Sequence, residues 1–132
     1  RDKIDEVIEK VRRIKQNNKK IKINTHVIVG FPGETEEDFN KTLDVIKLGL
    51  FDRVKVFMYN DRPNTIASTM TNKISDTEKK RRREMLLKEM KKQNIKHLSI
   101  TNIIINKEQI KNEITVCCYS LLQLRELYEP LY

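Results

Sequence analysis

The residues best placed to do chemistry lie in two short runs, VIVGFPGET from Val27 to Thr35 and NDRPNTIASTM from Asn60 to Met70. In the first, Gly30 and Gly33 let the backbone turn without a side chain in the way, and Pro32 stiffens the turn. Thr35 and Asp38, three residues apart, have the spacing of a capping box at the start of a helix. A glycine-bearing loop before a helix suggests phosphate binding, and here the charges argue against it. A P-loop continues with Lys and then Ser or Thr, whereas Gly33 is followed by Glu34, Thr35, Glu36, Glu37 and Asp38. Carboxylates already occupy the favourable end of the helix dipole and repel an incoming phosphate. Nucleotide hydrolysis is therefore excluded.

Metal and redox chemistry find little support in the residues themselves. Cys117 and Cys118 are adjacent and are the only cysteines, so there is no disulfide framework. As neighbours on a strand they point to opposite faces, poor geometry for one metal, and they read as ordinary thiols. His26 has no second ligand at useful spacing and reads as a hydrogen-bonded histidine in a strand rather than a metal ligand. Arg62 beside Asp61 reads as a tie within its own loop.

The elements that must position these loops follow from periodicity. Ile4, Val7, Ile8, Val11 and Ile14 fall at three- and four-residue spacings, which predicts an amphipathic helix over 1–16. A polar connector leads to a strand over 23–29, in which Ile23, Thr25, Val27 and Val29 share one face and Asn24, His26 and Ile28 the other. The run Val27, Ile28, Val29 suits a strand covered on both faces. Phe39, Leu43, Ile46 and Leu50 form the stripe of a second helix that stops near Gly49, and a second strand is expected over 53–59. Strand, helix and strand of these lengths make a right-handed parallel unit, whose ligands are usually bound by loops at the carboxyl ends of the strands. Both chemistry-bearing runs sit at such ends. The expected class is thus α/β.

Ser75-Asp76-Thr77-Glu78 predicts a second capping box, opening a basic helix that runs to about Lys96. Its run Lys79 to Arg83 wraps more than one turn, so at least half of it should face solvent. Beyond it, strands are expected over 98–105 and 113–119 and a short helix over 121–128, halted by Pro130. With 132 residues the chain suffices for one modest core, and its net charge of +8 suits either a solvated basic surface or a polyanion-binding patch. Its apolar runs are too short for a signal peptide or a membrane span, which sets the expectation of a cytoplasmic location. Arg1 brings no initiator Met, so the chain is expected to be part of a longer protein.

Roughly residues 1–90 carry a resemblance, clearest over 23–70. INTHVIVGFPGETEEDFNKTLDVIKLGLFDRVKVFMYNDRPNTIASTM resembles the carboxyl-terminal half of the radical S-adenosylmethionine barrel of methylthiotransferases, which place a methylthio group on tRNA adenosines or on a ribosomal protein side chain. The family pairs a strand ending IVGFPGET and an EEDF helix with a strand ending F-x-Y-S-x-R-x-G-T-x-A. Phe57, Tyr59, Arg62, Thr65 and Ala67 stand at the matching places, whereas the family's Ser is Asn60, its Gly is Asn64 and its acidic residue before the strand is His26. The Cys-x-x-x-Cys-x-x-Cys loop that holds the family's 4Fe–4S cluster, and three cysteines for a second cluster, are missing from this sequence. The tail does not look like the RNA-binding β-barrel that ends these enzymes.

The resemblance implies a partial parallel (β/α) barrel of radical S-adenosylmethionine type over 1–72, a basic linking helix over 73–96 and a small α+β tail over 97–132. It implies S-adenosylmethionine across the strand tips, with Ile28 as an apolar shelf for adenine, Gly30 giving room for close approach, and Phe57 and Tyr59 shaping the pocket. Arg62 and Thr65 would belong to a substrate-facing or structural loop. The chemistry would be supplied by the cluster, held by barrel upstream of Arg1, with tRNA as substrate. Alone, the chain is expected to bind no cluster or cofactor and to be inactive. Read without the resemblance, Ile28 and Gly30 are strand core and turn, and Tyr59 a strand-end aromatic. Other radical S-adenosylmethionine enzymes, such as cobalamin-dependent methylases, and a non-catalytic remnant binding RNA or protein through its basic helix, are the alternatives.

Overall fold

A computed structural model describes residues 3–97 together with the backbone of 113–117. The elements follow in the order α1 (Lys3–Asn17), β1 (Lys22–Val29), α2 (Glu36–Lys47), β2 (Arg53–Met58), α3 (Ile66–Thr69), α4 (Asp76–Lys92), β3 (Lys96–His97) and β4 (Glu113–Cys117). The four strands form one sheet in the order β3-β2-β1-β4, with every neighbouring pair parallel.

Apolar spacing accounts for the layering. Ile4 and Val11 of α1, Phe39, Leu43 and Ile46 of α2, and Leu86 and Met90 of α4 all pack into one cluster with Ile23, Val27, Val29, Val54 and Val56 of the central strands. Burying side chains of this size contributes roughly 1.5–3 kcal/mol each, so the helices are held to this one face of the sheet. The opposite face carries Asn24, His26 and Ile28 of β1 beside Arg53, Lys55 and Phe57 of β2. The expectation of a strand covered on both faces is corrected: Ile28 is only half-buried and Phe57 is 44% exposed, because the described helices direct their apolar stripes to the other side.

Local signals set the ends of the helices. Thr35 Oγ1 accepts from the Asp38 amide and Asp38 Oδ2 accepts from the Thr35 amide, each at 3.1 Å, which is the expected capping box in full. At Ser75 only half of the expected box forms: Ser75 Oγ accepts from the Glu78 amide, while the Glu78 carboxylate is engaged by Arg81 and Arg82. Helix α2 stops at Gly49, φ +67°, which leaves Leu50 half-buried beyond the stripe it was assigned to. Helix α4 ends at Lys92, short of the expected Lys96. Asn94 takes φ +57°, its amide donates to the Lys91 carbonyl and the Ile95 amide to the Met90 carbonyl, a Schellman ending in which Asn stands where Gly is usual. Ile95 is buried and Lys96 passes into β3.

Part of the tail joins the main sheet. The strand expected over 113–119 is present over 113–117 and pairs with β1 in the main sheet, Ile23 opposite Ile114 and Thr25 opposite Val116. The expected strand over 98–105 and helix over 121–128 lie outside the described residues. None of the described helices is long and apolar enough to cross a membrane.

Candidate functional site

The two chemistry-bearing runs meet at the carboxyl ends of β1 and β2. The strands are parallel, Ile28 stands opposite Phe57 and Val29 opposite Met58, and the Tyr59 amide extends the ladder by donating to the Val29 carbonyl at 2.9 Å. Parallel pairing puts Ile28 and Phe57 on the same face, the open one. The ring of His26 meets Phe57 edge-on at 5.7 Å between centroids, and Lys55 Nζ lies 5.5 Å from the Phe57 centroid. Partial burial, and secondarily the charge of Lys55, lowers the His26 pKa and favours its neutral form. The result is an apolar shelf edged by one cation and a neutral imidazole.

On the opposite side of the same tips the backbone is tied down. Phe31-Pro32-Gly33-Glu34 closes a turn in which the Glu34 amide donates to the Phe31 carbonyl at 2.9 Å. Pro32 at its second position and Gly33, φ +86°, at its third match a type II turn. The Glu34 side chain folds back under the loop. Its Oε1 accepts from the Gly30 amide at 3.0 Å and from Arg82 Nη1 of α4 at 2.7 Å, and Arg82 Nη1 also donates to the Glu34 carbonyl at 3.0 Å. The two side chains are 1% and 6% exposed, so this ion pair lies almost wholly out of water. Burial raises the Glu34 pKa, opposed by the Gly30 amide and by Arg82. The Gly33 amide donates to the Asn72 carbonyl. With the amides of Gly30, Gly33, Glu34, Thr35 and Asp38 all engaged, the loop offers none of these five donors to a phosphate.

Gly30 itself has φ +77°, and a Cβ there would lie 2.3 Å from Lys79 Cγ. The space freed by the missing side chain is thus filled by the stem of Lys79, whose Nζ donates to the Tyr59 carbonyl at 3.0 Å. Tyr59 is a strut between the loops. Its ring packs edge-on against Phe31 at 5.5 Å, in a small cluster with Ala67 and Met70, and is flanked by Lys73 and Lys79. Its hydroxyl donates to Asp61 Oδ1 at 2.9 Å, and burial followed by that carboxylate pushes its pKa up to about 12.

The second loop is held by residues other than the expected one. Asp61 pairs with Lys73, whose Nζ also donates to the Ala67 and Ser68 carbonyls, whereas Arg62 contributes its carbonyl as acceptor for Thr65 Oγ1 at 2.8 Å. Thr65 caps the single turn α3 by accepting from the Ser68 amide. Asn64 adopts φ +65°, the left-handed conformation for which Asn replaces the family's Gly at small cost. The structure therefore brings Ile28 and Phe57 together on the open face, places Gly30 and Tyr59 in the tied framework behind it, and leaves Arg62 exposed on the loop. Arg82 and Lys79, which organise that framework, sit inside a basic run whose other members are the exposed Lys80 and Arg81 and the half-buried Arg83, so nothing local in the sequence marked them out.

No family model matches the chain. It is 46% identical over 83 residues to the tRNA-2-methylthio-N(6)-dimethylallyladenosine synthase of Aquifex aeolicus, covering 63% of this chain and 19% of that protein. The synthase of the same name from Caldicellulosiruptor saccharolyticus is 43% identical over 84 residues, 64% of this chain and 18% of that one. The ribosomal protein uS12 methylthiotransferase RimO of Pseudothermotoga lettingae is 40% identical over 83 residues, 63% of this chain and 19% of that one. The matched segments span about a fifth of the length of these relatives. With identities of 40–46% over more than 60% of its length, this chain is homologous over that segment to methylthiotransferases of the radical S-adenosylmethionine class.

Proposed function

We propose that this chain forms the adenosyl-binding side of a methylthiotransferase acting on a tRNA adenosine, working as one portion of a larger barrel. The observation that carries the reading is the pairing of Ile28 with Phe57 at adjacent parallel strand tips, exposed on the face that a closed barrel would turn inward. An adenine ring needs a flat apolar contact and nearby polar groups, and Ile28, Phe57 and His26 fit that requirement. Gly30 serves the site through its backbone, since the space beside its Cα belongs to Lys79. Tyr59 serves it by holding the two loops together.

Among the described residues no group of three His, Cys, Asp or Glu side chains could hold a metal ion, so the described part does not fit an iron–sulfur cluster. In this reading the cluster is held by a separate portion of the enzyme, and this chain alone is inactive. When bound, S-adenosylmethionine and the cluster supply the sulfonium and the electron that cleaves it. The chain's own residues bind and orient. Ile28 and Phe57 take the ring, the neutral His26 leaves the shelf without an added positive charge, and Lys55 places one cation at its rim. The exposed Lys80 and Arg81 of α4 suit a polyanionic substrate. A ribosomal protein is the second substrate class, favoured by the 40% identity to the uS12 enzyme.

The test is a chimera in which the matched 83-residue segment replaces its counterpart in the Aquifex aeolicus synthase. Formation of 2-methylthio nucleoside in tRNA, read by mass spectrometry, is the expected result. A chimera that folds and keeps its clusters but neither cleaves S-adenosylmethionine nor modifies tRNA overturns the reading.

A further inference from the structure

The basic helix α4 grips both strand tips from the side away from the open shelf. Arg82 reaches Glu34 and, through Glu34 Oε1, the Gly30 amide at the end of β1. One turn earlier, Lys79 lays its stem over Gly30 and donates from Nζ to the Tyr59 carbonyl at the end of β2. Arg82 is fixed from every side: Nε donates to Glu78 Oε1 at 3.0 Å, Nη1 to the Glu34 carbonyl and carboxylate, Nη2 lies 3.8 Å from Glu36, and the guanidinium stacks 5.7 Å from the Phe39 centroid. Rigid, nearly buried guanidinium pairs of this kind fix geometry at a desolvation cost.

We propose that Arg82 is a positioning residue for the adenosyl shelf, acting from α4 through Glu34 and the Gly30 amide to set where β1 ends and hence where Ile28 stands. It touches no substrate. The Gly30 amide held by Glu34 turns the chain away at φ +77°, so Ile28 is the last β1 side chain on the open face. Without Arg82, Glu34 loses its only cationic hydrogen-bond partner among the described residues, and the bond that ends the strand is weakened. The proposal rests on the adenosyl reading of the shelf, and its two readouts separate from that reading.

The first readout is the Gly30 amide resonance of the 132-residue chain followed through a pH titration. Glu34 meets Arg82 of α4 and feels the charge of Asp38 of α2, while Glu78 and Glu36 lie on the far side of the Arg82 guanidinium and the Lys79 stem covers Gly30. Of these only Arg82 stabilises its charge by direct hydrogen bonding, so Arg82→Gln is expected to move the Gly30 titration midpoint up by about one unit or more. Arg82→Lys, which keeps the charge and one donor, is expected to fall between the two. If Arg82→Gln does not fold, Arg82→Lys alone decides. A Gly30 midpoint equal to that of the unsubstituted chain overturns the proposal. The second readout is the chimera carrying Arg82→Lys, expected to raise KM for S-adenosylmethionine at least about fivefold while kcat changes little. An unchanged KM in an active chimera overturns the proposal with the adenosyl reading intact. An inactive parent chimera overturns the adenosyl reading, and the proposal with it as far as the shelf is concerned, while the Gly30 titration still decides whether Arg82 sets the strand end.

Discussion

The two sides of the β1 and β2 tips are built on opposite principles. Toward α4, polar groups are closed on one another: Glu34 on Gly30 and Arg82, Lys79 on Tyr59, Thr35 and Asp38 on each other. Toward the open face, Ile28 and Phe57 leave apolar surface in water, with Phe57 44% exposed. Closed polar networks fix geometry, and a paired apolar exposure stabilises nothing until something covers it. The contrast separates what shapes the site from what would touch a ligand.

Substitutions on the closed side should cost stability and those on the open side should not. Glu34→Ala has the largest expected effect, about 3–5 kcal/mol by chemical denaturation, because it removes the buried carboxylate from Arg82, which keeps only Glu78 and the more distant Glu36, and leaves the Gly30 amide without its acceptor. A loss under about 1 kcal/mol would mean that water reaches the guanidinium and the side is not closed. Gly30→Ala comes next, on the order of 1–3 kcal/mol from its positive φ, with an added clash against Lys79 Cγ. In a Lys79→Ala background that added part is expected to vanish, and strict additivity of the two substitutions would contradict the contact.

His26 sharpens the comparison through pH. Its folded pKa lies below 6.5, so its neutral form is favoured by folding. Its contribution is complete above 6.5 and is lost as pH falls through the lowered folded value. Urea midpoints from neutral pH downward should therefore show a decline that His26→Gln removes, and an unchanged slope would place the imidazole in full solvent. Phe57→Ala is expected to alter stability least, within about 0.5 kcal/mol, as befits an exposed side chain.

What the sequence made legible was local or periodic. The α1 and α2 stripes, the Thr35 to Asp38 box and the parallel β1-α2-β2 unit rest on spacings of two to four residues, and the structure shows each of them. The pairing of the strand tips followed from that topology. Contacts between distant residues were not legible: Glu34 and Arg82 are 48 positions apart, and one turned-in arginine in a run of five cations has no signature of its own. The same distance hid the role of Gly30, whose missing side chain makes room for Lys79 of α4. Asn94 ended α4 early with a residue that gives a weaker stop signal than Gly, and the place of β4 beside β1 depended on pairing that no spacing encodes.

The measurement closest to the centre of this account is KM for S-adenosylmethionine in the active chimera, compared with the same chimera carrying Phe57→Ala. If Phe57 and Ile28 together carry the adenosyl group, KM rises about tenfold or more with the melting temperature unchanged. An unchanged KM in a folded, cluster-bearing protein would show that the shelf is bare surface and that the ligand lies elsewhere.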